Sequence, residues 1–223
     1  MKKTSLLLAL ALAAFAAGSS SAAPAPPRSG IDRHVLALAL AAAEQAEADV
    51  AVPKPNLLTI IDYSLPSTTP RLWVLDRGTG EVLRRELVAH GSGTGENYAT
   101  AFSNLEGSRQ SSLGLFLTEE TYVGRNGYSL RLKGLEPGFN DHARERAIVI
   151  HGAPYVSAQF ARAHGRLGRS WGCPALPEEV AHDVIDEIQG GSLVFAYYPD
   201  TSWLTNSRFL ASERGTVVAA AGR

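Results

Sequence analysis

The sequence carries one cysteine, Cys173, and one methionine, Met1. A lone cysteine excludes an intramolecular disulfide, so a hydrophobic core must hold the chain together. Net charge is nearly absent too, with 21 Lys and Arg against 22 Asp and Glu. That balance gives no reason to expect nucleic acid or an anionic lipid surface as a partner. No apolar run reaches the roughly 20 residues of a membrane span. The histidines show none of the short spacings of a metal site, so His90, His151, His164 and Cys173 make a poor zinc set. No internal repeat is visible, and no cofactor or metal is implied.

What is present begins with a basic start at Lys2 and Lys3, a short apolar stretch from Leu6 to Ala17, and small residues through Ala23. This pattern reads as a secretory signal peptide over residues 1–22, and no integral membrane segment remains after its cleavage. Without Lys2 and Lys3, 19 basic residues face 22 acidic ones, a formal charge of −3. Residues 23–55 read as a loose leader and an N-terminal helix, residues 56–200 as one catalytic-sized domain, and residues 201–223 as a C-terminal tail.

Within that division, Ile31 to Val50 is rich in Ala and Leu, with Asp32 placed to cap a helix that Pro53 and Pro55 end. Strand-like runs follow at Leu57–Tyr63, Arg71–Asp76 and Glu81–His90, the last two joined by the Arg77-Gly78-Thr79-Gly80 turn. Two more, Leu113–Val123 and Tyr128–Leu132, flank Gly124-Arg125-Asn126-Gly127. Apolar residues at helical spacing run from Val180 to Ile188 after Pro177, and Ser192–Tyr198 is a buried strand. Many short strands with glycine turns predict a mainly β fold with flanking helices (α+β), a sandwich or a barrel. The glycine loop after His90 lacks the Lys-Ser or Lys-Thr of a phosphate loop, leaving a tight bend that exposes His90 or approaches a ligand.

The chemistry centres on Cys173 and His151, 22 residues apart. His151 closes the apolar run Ala147-Ile148-Val149-Ile150, and Cys173 sits in the turn Ser170-Trp171-Gly172-Cys173-Pro174. A thiol needs deprotonation to attack, and an imidazole beside it accepts that proton. An inert buried cysteine is the bland alternative, but the residues around Cys173 are Gly, Pro, Ser and Arg rather than an apolar strand. Backbone amides at Gly172 and Cys173 suit an oxyanion. Arg166 and Arg169 flank the turn and match carboxylates through their planar guanidiniums, with Tyr155 and Asn104 as further contacts. Trp171 is either a packing plug or a floor for substrate.

The block His151-Gly152 followed by Ser170-Trp171-Gly172-Cys173-Pro174 resembles the signature of the L,D-transpeptidases of peptidoglycan (YkuD-type). The murein L,D-transpeptidase catalytic domain branch is similar also in His90-Gly91-Ser92-Gly93-Thr94-Gly95, Phe102-Ser103-Asn104, Arg146 to Gly152 and Gly165 to Pro174. Trp171 stands where the signature has a histidine. The resemblance implies a YkuD-like β-sandwich with Cys173 and His151 at one end. It further implies His151 as base, oriented by the Gly152 carbonyl, with Ser170 a second candidate for that task. The implied reaction is acyl transfer from a stem peptide through a thioester, with D-Ala released and an amine as acceptor. It would act in the periplasm or cell envelope of a Gram-negative bacterium. An L,D-carboxypeptidase using water instead, or a non-catalytic wall-binding module, are the alternatives.

Overall fold

The computed structural model describes residues 30–210, so the signal peptide, most of the leader and the end of the tail lie outside the described residues. Helix α1 (Arg33–Asp49) starts at Asp32, whose carboxylate accepts from the amides of His34 at 2.8 Å and Val35 at 3.2 Å. Such a cap satisfies amide donors that have no partner within the helix. Strands β1 (Leu57–Asp62), β2 (Leu72–Asp76) and β3 (Glu81–Glu86) form an antiparallel meander. Next come β4 (Gly114–Gly124), β5 (Gly127–Gly134), β6 (Val149–Gly152), helix α2 (Ala158–His164), β7 (Ala175–Leu176), helix α3 (Glu178–Ile188) and β8 (Leu193–Tyr197).

Among the described residues the eight strands belong to one sheet, ordered β3-β2-β1-β8-β4-β5-β6-β7. The fold is mainly β with flanking helices, as the pattern of strands predicts. The sandwich expectation takes the form of a single curled sheet. Beyond β3 the chain crosses to the far edge, where Ala89 bridges Ala175 of β7 and Gly91 bridges Ser170. These bridges bring the two edges together and leave little unpaired backbone there. They also explain why β3 stops at Glu86 rather than running to His90.

Buried Arg71 braces the crossing. Its guanidinium donates to the carbonyls of Val88 (3.1 and 3.0 Å) and Leu65 (2.7 Å) and to His90 Nδ1 (2.8 Å). The core fills the space between the sheet and α1, which buries Val35, Leu38, Ala39, Ala42, Ala43 and Ala46, and α3, which buries Ala181, Val184, Ile185 and Ile188. Glu178 and Glu179 in the first turn of α3 complement its positive end.

The weakly patterned stretch after Pro199 opens with a further helix, α4 (Thr201–Asn206), capped by Asp200. Its Trp203 is fully buried, and Phe209 and Leu210 join the same core, so residues 201–210 pack with the domain. The indole donates to buried Glu136 at 3.0 Å, and the other Glu136 oxygen accepts from the Leu115 amide at 2.8 Å. Among the described residues no helix is long and apolar enough to cross a membrane.

Candidate active site

The parallel pairing of β6 with β7 sets His151 opposite Ala175, two residues after Cys173. Strand order thus brings base and thiol to one end of the sheet despite their separation in sequence. Both line a cavity of about 430 Å³, with Tyr122, Arg125, Asn126, Arg146, Tyr155, Arg169 and Trp171 among its walls. Three arginines and no carboxylate line it, which favours an anionic occupant.

The Nδ1 atom of His151 lies 2.8 Å from the Gly152 carbonyl. A carbonyl only accepts, so Nδ1 carries the proton and Nε2 keeps its lone pair. Burial holds the imidazole below its ordinary range, partly offset by the Gly152 bond, and at neutral pH the ring is uncharged. Gly152 itself packs against α3, where a Cβ would meet that of Ala181 at 3.1 Å. The glycine therefore lets α3 approach the strand that carries the base.

Cys173 is nearly buried, and its thiol faces the Ala147 carbonyl at 3.6 Å. Ala147 adopts a left-handed φ of 53°, uncommon for a residue with a Cβ, and the strain aims this carbonyl at the sulfur. Burial pushes the thiol up, opposed by the Val149 backbone, the Arg146 charge and its own amide. At rest the site holds a neutral thiol and a neutral imidazole.

The turn around the cysteine is pinned from within. Ser170 Oγ donates to the Cys173 carbonyl at 2.6 Å and accepts from the Gly172 amide at 3.0 Å. Its hydroxyl is thus occupied in the turn and does not orient His151, which corrects that expectation. The same bond takes the Gly172 amide away from any oxyanion and leaves the Cys173 amide, which faces its own sulfur, as the remaining donor of the two. At Gly172, φ is 124° and a Cβ would lie 2.8 Å from the Gln110 carbonyl, so a side chain there is excluded. Gly91 is equally confined, by the Arg109 carbonyl and the Gly172 backbone. The glycine loop after His90 is therefore a close-packed layer beneath the cysteine turn.

Two residues expected at the substrate are engaged elsewhere. His90 is buried: Nδ1 accepts from Arg71, and Nε2 meets the carbonyls of Gly95 (3.3 Å) and Glu96 (3.1 Å). Both nitrogens are occupied by the fold, and burial followed by the Arg71 charge brings its pKa down to about 4. Asn104 donates to Asp141 at 2.7 Å and accepts from the His142 amide at 3.1 Å. It lines a separate cavity of about 240 Å³ with Phe102, Phe139 and Ser202.

The remaining candidates stand at or near the cleft. Burial and the neighbouring Cys173 push Tyr155 up to about 12. Trp171 is 70% exposed on the rim, with the Arg109 guanidinium 5.0 Å from its ring centroid. It is not a core plug. Arg166 and Arg169 grip one carboxylate, that of Glu96, at 2.8 and 2.7 Å, and Arg169 also donates to the Gly95 carbonyl at 2.9 Å. Only Arg169 of the two reaches the cavity wall.

Arg146 and the hairpin-tip residues Tyr122, Arg125 and Asn126 also line the cavity. In the sequence Arg146 stands only as the start of the strand-end motif, and the tip carries only a turn signal.

The family model for the L,D-transpeptidase catalytic domain matches residues 27–197, which takes in every element from α1 to β8. The chain belongs to the L,D-transpeptidase catalytic domain family. This is a family of enzymes, and the matched segment includes both Cys173 and His151. A search of curated proteins finds no match. Among solved structures, an L,D-transpeptidase from Mycobacterium smegmatis is similar at 15% identity and a TM-score of 0.41, covering 64% of this chain and 59% of that one. An L,D-transpeptidase from Mycobacterium tuberculosis H37Rv is similar at 15% identity and a TM-score of 0.38, over 64% and 58%. The helical cell shape determining protein Pgp2 from Campylobacter jejuni is similar at 14% identity and a TM-score of 0.42, over 65% and 48%. This family member thus spans about half to three-fifths of the length of those chains.

Proposed function

We propose that the protein transfers acyl groups on peptidoglycan stem peptides, with Cys173 as nucleophile and His151 as base. The observation that carries this reading is the shared cavity of the two residues, with His151 Nδ1 fixed on Gly152 so that Nε2 is the free acceptor. The thiol proton passes to Nε2, and the sulfur attacks the carbonyl carbon of the third stem residue. The Cys173 amide supports the oxyanion. Its collapse breaks the peptide bond to the terminal D-Ala, whose amine takes the proton from His151. An acceptor amine then attacks the thioester, gives up a proton to His151, and restores the thiol. Stem peptides carry carboxylates, which suits a cleft lined by Arg125, Arg146 and Arg169.

In this reading Arg169, assisted by Arg166, takes a substrate carboxylate now represented by Glu96. Tyr155 and Trp171 bound the peptide. The chain is exported after removal of residues 1–22 and works in a Gram-negative periplasm. Incubation of the protein with a disaccharide-tetrapeptide, beside Cys173→Ala, tests the proposal through its products. The expected outcome is D-Ala release with a cross-linked dimer, from the wild type only. A tripeptide monomer without dimer makes water the acceptor and the enzyme an L,D-carboxypeptidase. An intact donor overturns the reading.

A further inference from the structure

Behind the thiol stands a cation that the proton relay does not use. The guanidinium of Arg146 donates to the Ser103 carbonyl and Ser112 Oγ, both at 2.6 Å, and to the Gln110 carbonyl at 2.6 Å and Ser108 Oγ at 3.2 Å. All four acceptors are neutral. Among the described residues no carboxylate lies within ion-pair distance of it. Its Nη2 is 3.4 Å from where a Cβ on Gly172 would sit, and it lines the cavity with Cys173. The next residue, left-handed Ala147, supplies the carbonyl that faces the thiol. A half-buried charge held by neutral groups alone keeps its electrostatic demand for an anion. The anion the reaction creates at this spot is the thiolate.

We infer that Arg146 is the counter-charge of the Cys173 thiolate, while His151 carries the proton without filling that role. The other ionisable groups facing this region are His151 on β6, Tyr155 after it, Arg169 before the cysteine turn, Tyr122 and Arg125 at the hairpin tip and buried Tyr63 after β1. Tyr63 and Tyr155 are neutral at pH 7, both pushed up to about 12 mainly by burial. Arg169 is already joined to Glu96. His151 is neutral in the resting site. Arg146 opposes the burial that raises the thiol, and the thiol in turn holds Arg146 up against its own desolvation.

The inference rests on Cys173 as nucleophile, but its test needs no donor peptide. With one cysteine in the chain, the rate of iodoacetamide labelling against pH reports the ionisation of that thiol alone. Arg146→Gln is expected to move the midpoint upward by about one pH unit or more, a roughly tenfold slower labelling at pH 7, and Arg146→Lys to restore most of it. His151→Ala is expected to leave the midpoint within about half a unit, because a neutral imidazole contributes no charge. A profile for Arg146→Gln that superimposes on the wild type overturns the inference. So does an upward move in His151→Ala, and that arm decides the matter if Arg146→Gln does not fold. A failed turnover assay with normal labelling behaviour would count against the proposed donor and leave this inference standing.

Discussion

Acid should weaken this fold through the imidazole of His90. Its ring is buried between Arg71 and the carbonyls of Gly95 and Glu96, and its pKa falls from 6.5 to about 4. A folded pKa below the unfolded one gives stability that is complete above pH 6.5 and is lost as pH falls through about 4. At roughly 1.4 kcal/mol per pH unit, that interval corresponds to about 3 kcal/mol. Glutamine at position 90 keeps one donor and one acceptor but cannot titrate. Urea unfolding of wild type and His90→Gln between pH 7 and 4 should show a difference that narrows by about 3 kcal/mol as pH falls, with the wild type losing more. Parallel curves for the two proteins would refute the reasoning and free His90 for another task.

Ser170→Ala removes both bonds that pin the cysteine turn and should cost about 2–4 kcal/mol in chemical denaturation, with the pH dependence of turnover unmoved. A shift of the acidic limb, which His151 sets as the base, with unchanged stability would instead make Ser170 a partner of His151. Trp203→Phe removes the indole donor from buried Glu136 and should destabilise by about 1–3 kcal/mol, read as a lower denaturant midpoint. An unchanged midpoint would mean that α4 is not anchored through its indole. Glu96→Gln releases Arg166 and Arg169 and should lower KM for a tetrapeptide donor by up to about fivefold in a D-Ala release assay. A higher KM would show that Glu96 contributes to binding.

The elements readable in the sequence are those with a local cause. Asp32 starts α1 by capping, the apolar spacing of Val184, Ile185 and Ile188 sets the buried face of α3, and the glycines at 124 and 127 bound the β4–β5 turn. What escapes a local reading depends on distant partners. Helix α4 is held by Trp203 meeting Glu136, 67 residues away. The sheet curls because Ala89 finds Ala175. The glycine loop looks like a ligand loop until the Ser108 and Arg109 backbone is seen packed on Gly91 and Gly93.

The same distinction runs through the site. Cys173 and His151 stand out by residue type and local context. The roles of His90, Asn104 and Ser170 were set by Arg71, Asp141 and the Gly172 amide, none of which their own neighbourhoods reveal. Arg146 gave no signal of its own, since an arginine before a strand is ordinarily a solvated edge.

Intact-mass measurement of the protein trapped during turnover of a tetrapeptide donor tests the central claim most directly. The account predicts an added acyl group on Cys173, lost on adding an acceptor amine and absent from Cys173→Ala. Turnover of the donor by Cys173→Ala at the wild-type rate would contradict it.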